Sequence, residues 1–260
     1  MTLKITILGS GSAYGVPYFG GNWGDCDPKN PKNRRSTASI LIEQGKTKIL
    51  VDMGYDILRQ SEKHMIRELD AVIFTHTHAD HIVGNFHVPI MMSYYHDRDL
   101  DFYADDFTRG GIEKMWWFQY DREKPANFYG PRRVNWKEIK PFEPMKIGEI
   151  DITPIPLKHG GMTSMGLRIG NFAYCTDLNE ISEEAFTQLQ GLDVWLLECD
   201  SLKLSDEKHS YLEKSLKWIE RVKPKQAFLT HLDHTIDFDA VTKRLPPNVA
   251  LAYDDQIIEL

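Results

Sequence analysis

The chain carries, at Ala71-Val-Ile-Phe74-Thr-His76-Thr-His78-Ala-Asp80-His81, an apolar strand-like run that leads straight into four potential metal ligands within six residues. On an extended segment residues i and i+2 project to the same side, so His76 and His78 can converge on one ion. As the chain turns toward a helix, Asp80 and His81 can face a second. Neutral imidazole and carboxylate suit Zn, Mn or Fe. Two such ions, roughly 3.5–4 Å apart, can clamp the attacking and leaving oxygens of a displacement. A polar loop with several histidines is the simpler alternative. Against it, three of the ten histidines crowd here beside an aspartate.

The rest of the chain bounds the setting. At 260 residues it is long enough to bury a sizeable core. With 42% hydrophobic and 27% charged residues, it has the composition of an ordinary soluble globular protein. No apolar run approaches the roughly 20 residues needed to span a membrane. The segment Met1–Leu8 reads as a first strand rather than a signal peptide. Cys26, Cys175 and Cys199 form no disulfide framework, so a reduced, cytoplasmic setting is expected. A net charge of −7 with mixed signs disfavours an extended nucleic-acid surface. It leaves room for a small anionic substrate, because bound cations invert the local field.

Strands are expected at 4–8, 39–43, 48–52, 71–75, 101–104, 151–155, 165–169, 172–176, 194–198, 227–230 and 250–253. Helical periodicity falls at 55–69, 182–189, 209–222 and 238–245, with Ser182 as an N-terminal signal and Pro224 after the third. No linker or repeat divides residues 1–260, so one domain is expected. Each half runs from strands into helices, and the candidate ligands close strands. Two such halves packed face to face give an α/β/β/α sandwich, a four-layer αββα arrangement, with the metals where the strand ends meet. Residues 97–142 differ, holding ten aromatics from Phe102 to Trp136, among them Phe128 and Tyr129. They are expected to pack on the core, with a lid or substrate wall as the alternative.

Two ions need more ligands than one hexapeptide supplies. His159 precedes Gly160-Gly161 at a strand end, Asp177 closes the run Phe172–Thr176, and His231 closes Ala227–Thr230. A carboxylate such as Asp177 can bridge two ions. Asp52, at the end of Ile49-Leu-Val, is expected to orient ligating imidazoles rather than bind metal.

Asp52, His76-x-His78-x-Asp80-His81, His159, Asp177 and His231, in that order, resemble the metallo-β-lactamase superfamily of binuclear metallohydrolases. The resemblance covers nearly the whole chain. It implies that His76, His78 and His159 hold one ion, that Asp80, His81 and His231 hold the other, and that Asp177 bridges them. It also implies two divalent ions, Zn or Mn, with Fe as a further option. The loop Gly9-Ser-Gly-Ser-Ala-Tyr-Gly-Val-Pro17 is similar to that of the phosphodiesterase branch, which includes ribonuclease Z and a phosphoribosyl cyclic phosphodiesterase. Its backbone N–H groups, with Ser12, can approach phosphate oxygens.

Relatives place several cysteines after this loop, which hold a structural zinc with a histidine matching His234. Here Asp25–Ser36 has only Cys26, so that site is expected to be reduced or lost. His234 then becomes a candidate for orienting a ligand or contacting substrate, with a surface histidine as the alternative. His209 matches a histidine proposed in relatives as general acid, although it also falls at the start of the 209–222 helix. Arg34 and Arg35 can grip phosphate, but an exposed basic turn is the plainer reading. Catalytic roles therefore fall on Asp80 and His209.

The implied activity is hydrolysis of a small cyclic phosphate or nucleotide-like diester, with a hydroxide bridging the ions as nucleophile. The rivals are a ribonuclease Z-like nuclease, a thioester or lactone hydrolase, and a non-catalytic metal-binding accessory protein. No basic, Gly/Pro-rich arm of the nuclease kind is legible in the chain. Relatives are often dimers, so a homodimer is also expected.

Overall fold

Side chains alternate across each central strand, and the alternation builds two cores at once. In β2 (Ser39–Gln44), Ile40 and Ile42 face one way and Leu41 the other; in β3 (Thr47–Val51), Ile49 and Val51 oppose Leu50. Strands apolar on both faces must be covered on both. The computed structural model describes residues 1–95, 98–120 and 134–260.

β1 (Leu3–Gly9), β2, β3, β4 (Ala71–Ile73), β5 (Leu100–Ala104) and β6 (Val134–Glu138) form one sheet with β14 (Ile257–Glu259), in the order β14-β1-β2-β3-β4-β5-β6. The second sheet joins β7 (Met145–Ile147), β8 (Ile150–His159), β9 (Met162–Ile169), β10 (Phe172–Cys175), β11 (Val194–Glu198), β12 (Gln226–Thr230) and β13 (Val249–Leu251). The run from β3 to β6 and the run from β10 to β13 are parallel.

Ile5, Ile7, Ile40 and Ile49 from the first sheet meet Ile152, Leu167, Phe172, Tyr174 and Leu196 from the second, forming the inner core. On the outer face of the first sheet, Leu50, Val72 and Phe102 pack against α1 (Ile57–Lys63), α2 (Ala79–Ile82), α3 (Val88–Tyr95), α4 (Asp106–Met115) and α5 (Trp117–Tyr120). Beyond the second sheet, Trp195, Leu197 and Leu229 pack against α6 (Glu183–Gln188), α7 (Leu212–Val222) and α8 (Phe238–Thr242). The result is the expected α/β/β/α sandwich, the metallo-β-lactamase fold.

Several boundaries differ from the sequence reading. The helix expected over 55–69 occupies only Ile57–Lys63, and the one expected from His209 begins at Leu212. Ser182 does cap α6, accepting from the Ala185 N–H, and α7 ends at Lys223, left-handed at φ 56°, just before Pro224. The strands that the sequence did not mark are β6, β7 and β14, all at sheet edges. An edge strand needs little apolar patterning because one side stays open. Four of the described aromatics of 97–142, Phe102, Trp116, Tyr120 and Trp136, join the outer core, and Trp136 lies 5.3 Å from Phe102 and 5.8 Å from Tyr120 between ring centroids. Phe107 and Trp117 are exposed, and Phe128 and Tyr129 lie outside the described residues. Among the described residues no helix is long and apolar enough to cross a membrane.

Candidate metal centre

Parallel strands deliver their C-terminal residues to one edge of the sandwich, where ligands bind in open α/β sheets. Asp52 follows β3, His76 and His78 follow β4, and Asp80 and His81 lie in the single turn of α2. From the second sheet, His159 is the last residue of β8, Asp177 lies beyond β10, and His231 follows β12. Asp52, Asp177 and His231 each take a left-handed conformation, at φ 64°, 57° and 59°. Such a conformation costs a non-glycine residue about 1 kcal/mol or more and recurs where function requires a side chain to be turned. Here it ends the strand and swings the ligand type inward.

The structure brings seven predicted residues together in two groups. His76, His78, His159 and Asp177 offer ligand atoms within 4.8 Å of one another, as do Asp80, His81, Asp177 and His231. Asp177 belongs to both, and with His231 to a third set at the same spacing that adds Glu198 and His209. Its Oδ1 lies 3.7 Å from His76 Nε2, 4.0 Å from His159 Nε2 and 3.3 Å from His231 Nε2, and its Oδ2 lies 3.1 Å from His81 Nε2. Asp80 Oδ2 is 2.9 Å from His81 Nε2 and 3.7 Å from His231 Nε2. Ligands about 2.0 Å from a tetrahedral ion sit roughly 3.3 Å from one another, close to this spacing.

Whether cations suit these residues can be judged from the polar atoms left over. His76 Nε2, His81 Nε2, His231 Nε2 and Asp177 Oδ1 are buried and have no hydrogen-bond partner. His159 Nε2 and His78 Nδ1 face each other at 3.1 Å, an arrangement two neutral acceptors avoid unless a proton or a cation lies between. The opposite ring nitrogens of His76, His81 and His159 are occupied. Asp52 Oδ2 meets His81 Nδ1 at 2.7 Å, the Lys208 carbonyl meets His159 Nδ1 at 2.9 Å, and Thr75 Oγ1 meets His76 Nδ1 at 3.1 Å. Each contact presents Nε2 to the cluster. The donor set therefore fits divalent ions.

Electrostatics agree with that fit. Burial drives His76, His78 and His159 below the ordinary imidazole value, favouring the neutral form that binds metal. Burial also opposes charge on His81 and His231, but Asp177 and other nearby carboxylates outweigh it. They hold His81 well above its ordinary value and His231 at about 8. Burial likewise works against Asp80 and Asp177, yet the surrounding imidazoles hold both well below the usual carboxylate range.

Asp52 lies where expected, fully buried, bonded to His81 and to both the N–H and hydroxyl of Thr75 at 2.8 Å. Ser12 is buried next to the cluster's rim: its N–H donates to the Leu232 carbonyl, directly after His231, and its hydroxyl has no partner. His234 stands outside both groups, stacked on Tyr18 at 4.0 Å. Cys26 contacts the carbonyls of His234 and Ile236 and lies 3.8 Å from Arg35 Nη1. Arg35 departs from the exposed basic turn expected of it. It is 2% exposed and donates to the carbonyls of Asp233 at 2.9 Å and Ile236 at 2.6 Å.

His209 precedes α7 instead of starting it and reaches the cluster, its ring stacked 5.2 Å from that of His231. Its Nδ1 bonds to Glu198 Oε1 at 2.5 Å. Burial would lower His209, but Glu198 raises it to about 10. Glu198 is the residue that the sequence reading missed. It is fully buried, and Oε2 also accepts from the Leu178 N–H at 2.7 Å. The signal was present: a carboxylate closing the apolar run Val194-Trp-Leu-Leu, as Asp177 closes its own.

Known proteins share this architecture. A family model described as the beta-lactamase superfamily domain matches residues 47–232. A crystal structure described as a new diphosphatase from the PhnP family superposes with a TM-score of 0.90 at 27% identity, covering 100% of this chain and 98% of that one. Among curated proteins, octanoyltransferase of Porphyromonas gingivalis is 26% identical over 255 residues, covering 97% of this chain and 50% of that protein. Ribonuclease Z of Methanopyrus kandleri is 26% identical over 132 residues, covering 50% of this chain and 43% of that protein. The chain thus spans about half the length of these curated relatives.

Proposed function

Because the chain belongs to the metallo-β-lactamase superfamily, in its ribonuclease Z-like branch, we propose that it is a binuclear metal-dependent phosphodiesterase acting on a small anionic ester. The observation carrying this reading is the sharing of Asp177 between two four-residue groups that otherwise have no member in common. His76, His78 and His159 would hold one divalent ion, Asp80, His81 and His231 the other, with Asp177 between them. Zinc or manganese, with iron as a further option, would supply Lewis acidity and lower the pKa of water at neutral pH.

The chain's own groups do the rest. Asp52 fixes the ring of His81. Ser12 and the Gly/Ser loop offer donors to phosphate oxygens. His209, held through Nδ1 by Glu198, keeps Nε2 for proton exchange, and the Glu198 carboxylate favours the protonated form that donates to a departing alkoxide. A phosphodiester becomes a phosphomonoester and an alcohol.

A thioester hydrolase is a second reading, favoured by the likeness to an octanoyltransferase, of which this chain spans half. One panel separates the two. Metal-reconstituted protein is offered a ribosyl cyclic phosphate, a cyclic nucleotide, a dinucleotide, a dinucleoside diphosphate, a nitrophenyl diester and an octanoyl thioester, with His81→Ala as control. Turnover of a phosphate ester that the control lacks supports the proposal. Turnover of the thioester alone overturns it.

A further inference from the structure

Between β11 and α7 runs an irregular loop, exposed over residues 203–208, that ends at the half-buried His209. The two peptide groups leading into His209 are each held at both ends. In the first, the Glu207 carbonyl accepts from Asn179 Nδ2, and the Lys208 N–H donates to Asp206 Oδ1 at 2.7 Å. In the second, the Lys208 carbonyl meets His159 Nδ1 at 2.9 Å, and the His209 N–H donates to the same Asp206 oxygen at 2.9 Å. Both N–H groups converge on one carboxylate oxygen, while the carbonyls reach residues of the metal centre or its border.

A trans peptide is planar, with its N–H and C=O on opposite sides, so holding one end aims the other. Asp206 Oδ1 therefore aims the Lys208 carbonyl at His159. Because a carbonyl only accepts, the proton of that imidazole lies on Nδ1, and Nε2 is left bare for a cation. The same peptide sets where His209 starts. Its ring stands 4.8 Å from that of His159 between centroids, with Nδ1 2.5 Å from Glu198 Oε1. The fold leaves room for this arrangement. Gly160, directly after His159, is left-handed at φ 58°, and a Cβ there would meet Lys208 Cγ at 2.9 Å. Asn179, two residues past Asp177, also donates its N–H to the Lys158 carbonyl at 2.8 Å, which ties the loop to the strand that ends in His159.

On the reading of the metal centre proposed above, we infer that Asp206 is a positioning residue that couples a metal ligand to the proton donor. It is exposed and belongs to none of the candidate ligand groups, and it acts through its two backbone bonds. One oxygen fixes the imidazole of His159 and the backbone of His209 together. Without that acceptor both peptide groups are free to turn, the Lys208 carbonyl leaves His159, and His209 loses its setting against Glu198. The ion of the His76, His78 and His159 group is weakened, and that of the Asp80, His81 and His231 group is not.

The test compares Asp206→Ala, Asp206→Asn and Glu207→Gln with the unsubstituted full chain, all loaded with zinc. The asparagine amide oxygen accepts the same two N–H groups. Glu207→Gln removes an equal charge from the neighbouring residue and keeps the backbone bonds. Zinc affinity is titrated against a chelator, and exchange of the His159 and His209 Nδ1 protons with water is followed by NMR. Asp206→Ala is expected to weaken one of two zinc ions about tenfold and to speed exchange of both protons by a similar factor. Asp206→Asn and Glu207→Gln should stay within about twofold of the unsubstituted chain in every measurement. Unchanged zinc affinity, equal weakening of both ions, or unchanged exchange at either ring in Asp206→Ala overturns the coupling. An Asp206→Asn that behaves like the alanine variant overturns it as well. Hydrolysis of alkyl and nitrophenyl phosphodiesters by the unsubstituted chain is followed separately. If neither is hydrolysed while the zinc and proton results hold, the phosphodiesterase reading falls and the coupling stands. If both are hydrolysed while those results fail, the coupling falls and the phosphodiesterase reading stands.

Discussion

Glu198 Oε1 meets His209 Nδ1 at 2.5 Å, while Oε2 of the same carboxylate accepts from the backbone N–H of Leu178. The carboxylate lies fully buried at the end of β11, so its position is set by these partners and not by solvent. One side chain thus ties the segment after Asp177 to the loop carrying the proposed proton donor.

His209→Ala is expected to retain full metal content and to lose about 10²-fold or more in kcat. The loss should be larger for alkyl esters, whose leaving groups need a proton, than for nitrophenyl esters. Glu198→Gln keeps the shape but removes the charge, and should reproduce the same leaving-group pattern in milder form. Equal losses on both ester types would remove His209 from proton donation.

Asp177→Ala is expected to strip both ions, because the residue belongs to both groups. Asp52→Asn should leave the groups in place while weakening metal affinity about tenfold to a hundredfold, since Asp52 orients His81 without joining either group. Metal content measured by atomic emission, against free-metal buffers, separates the two effects. Normal stoichiometry in Asp177→Ala would refute the shared-ligand assignment.

The metal-free protein should lose stability as pH rises from neutrality. His231 is held at about 8 and His209 at about 10, each against the 6.5 of an unperturbed imidazole, because neighbouring carboxylates outweigh burial. The folded state then binds more protons than the unfolded state between about 6.5 and 10. This contribution is complete below about 6.5 and disappears as pH passes through about 8 and then about 10. Urea midpoints taken with a chelator should fall across that window, and Glu198→Gln should flatten the upper part. Divalent ions compete with the same protons, so metal affinity should rise with pH up to about 8.

Arg35→Lys is expected to cost about 2 kcal/mol of unfolding free energy, because a single ammonium cannot replace the planar fork that reaches two loop carbonyls and Asn33 Oδ1. Urea denaturation of the metal-loaded protein measures this. An unchanged midpoint would mean that the loops at 22–36 and 233–238 are held together by other contacts.

Much of the candidate metal centre was legible in the chain because its signals are local. Strand-forming runs are short and apolar, and a histidine or aspartate at the end of one needs no distant partner to be conspicuous. Asp52, the His76–His81 run, Asp177 and His231 all obey that rule, and parallel strands carry such ends to one edge. Glu198 obeys it too, yet a single glutamate closing a strand also reads as the first polar residue of a loop.

What the sequence by itself indicated was the candidate ligand set, its order along the chain and the layered sandwich. These follow from residue type, spacing and the two-residue period of strands. Tertiary structure alone decided that Glu198 holds His209, that Arg35 is buried across two loops while Arg34 stays at the surface, and that the Lys208 carbonyl, aimed by Asp206, meets His159. Each of these depends on segments far apart in sequence whose approach is fixed by core packing. A charged side chain shows in the sequence that it is charged; only the surrounding fold sets whether it meets water, a carbonyl or a ligand.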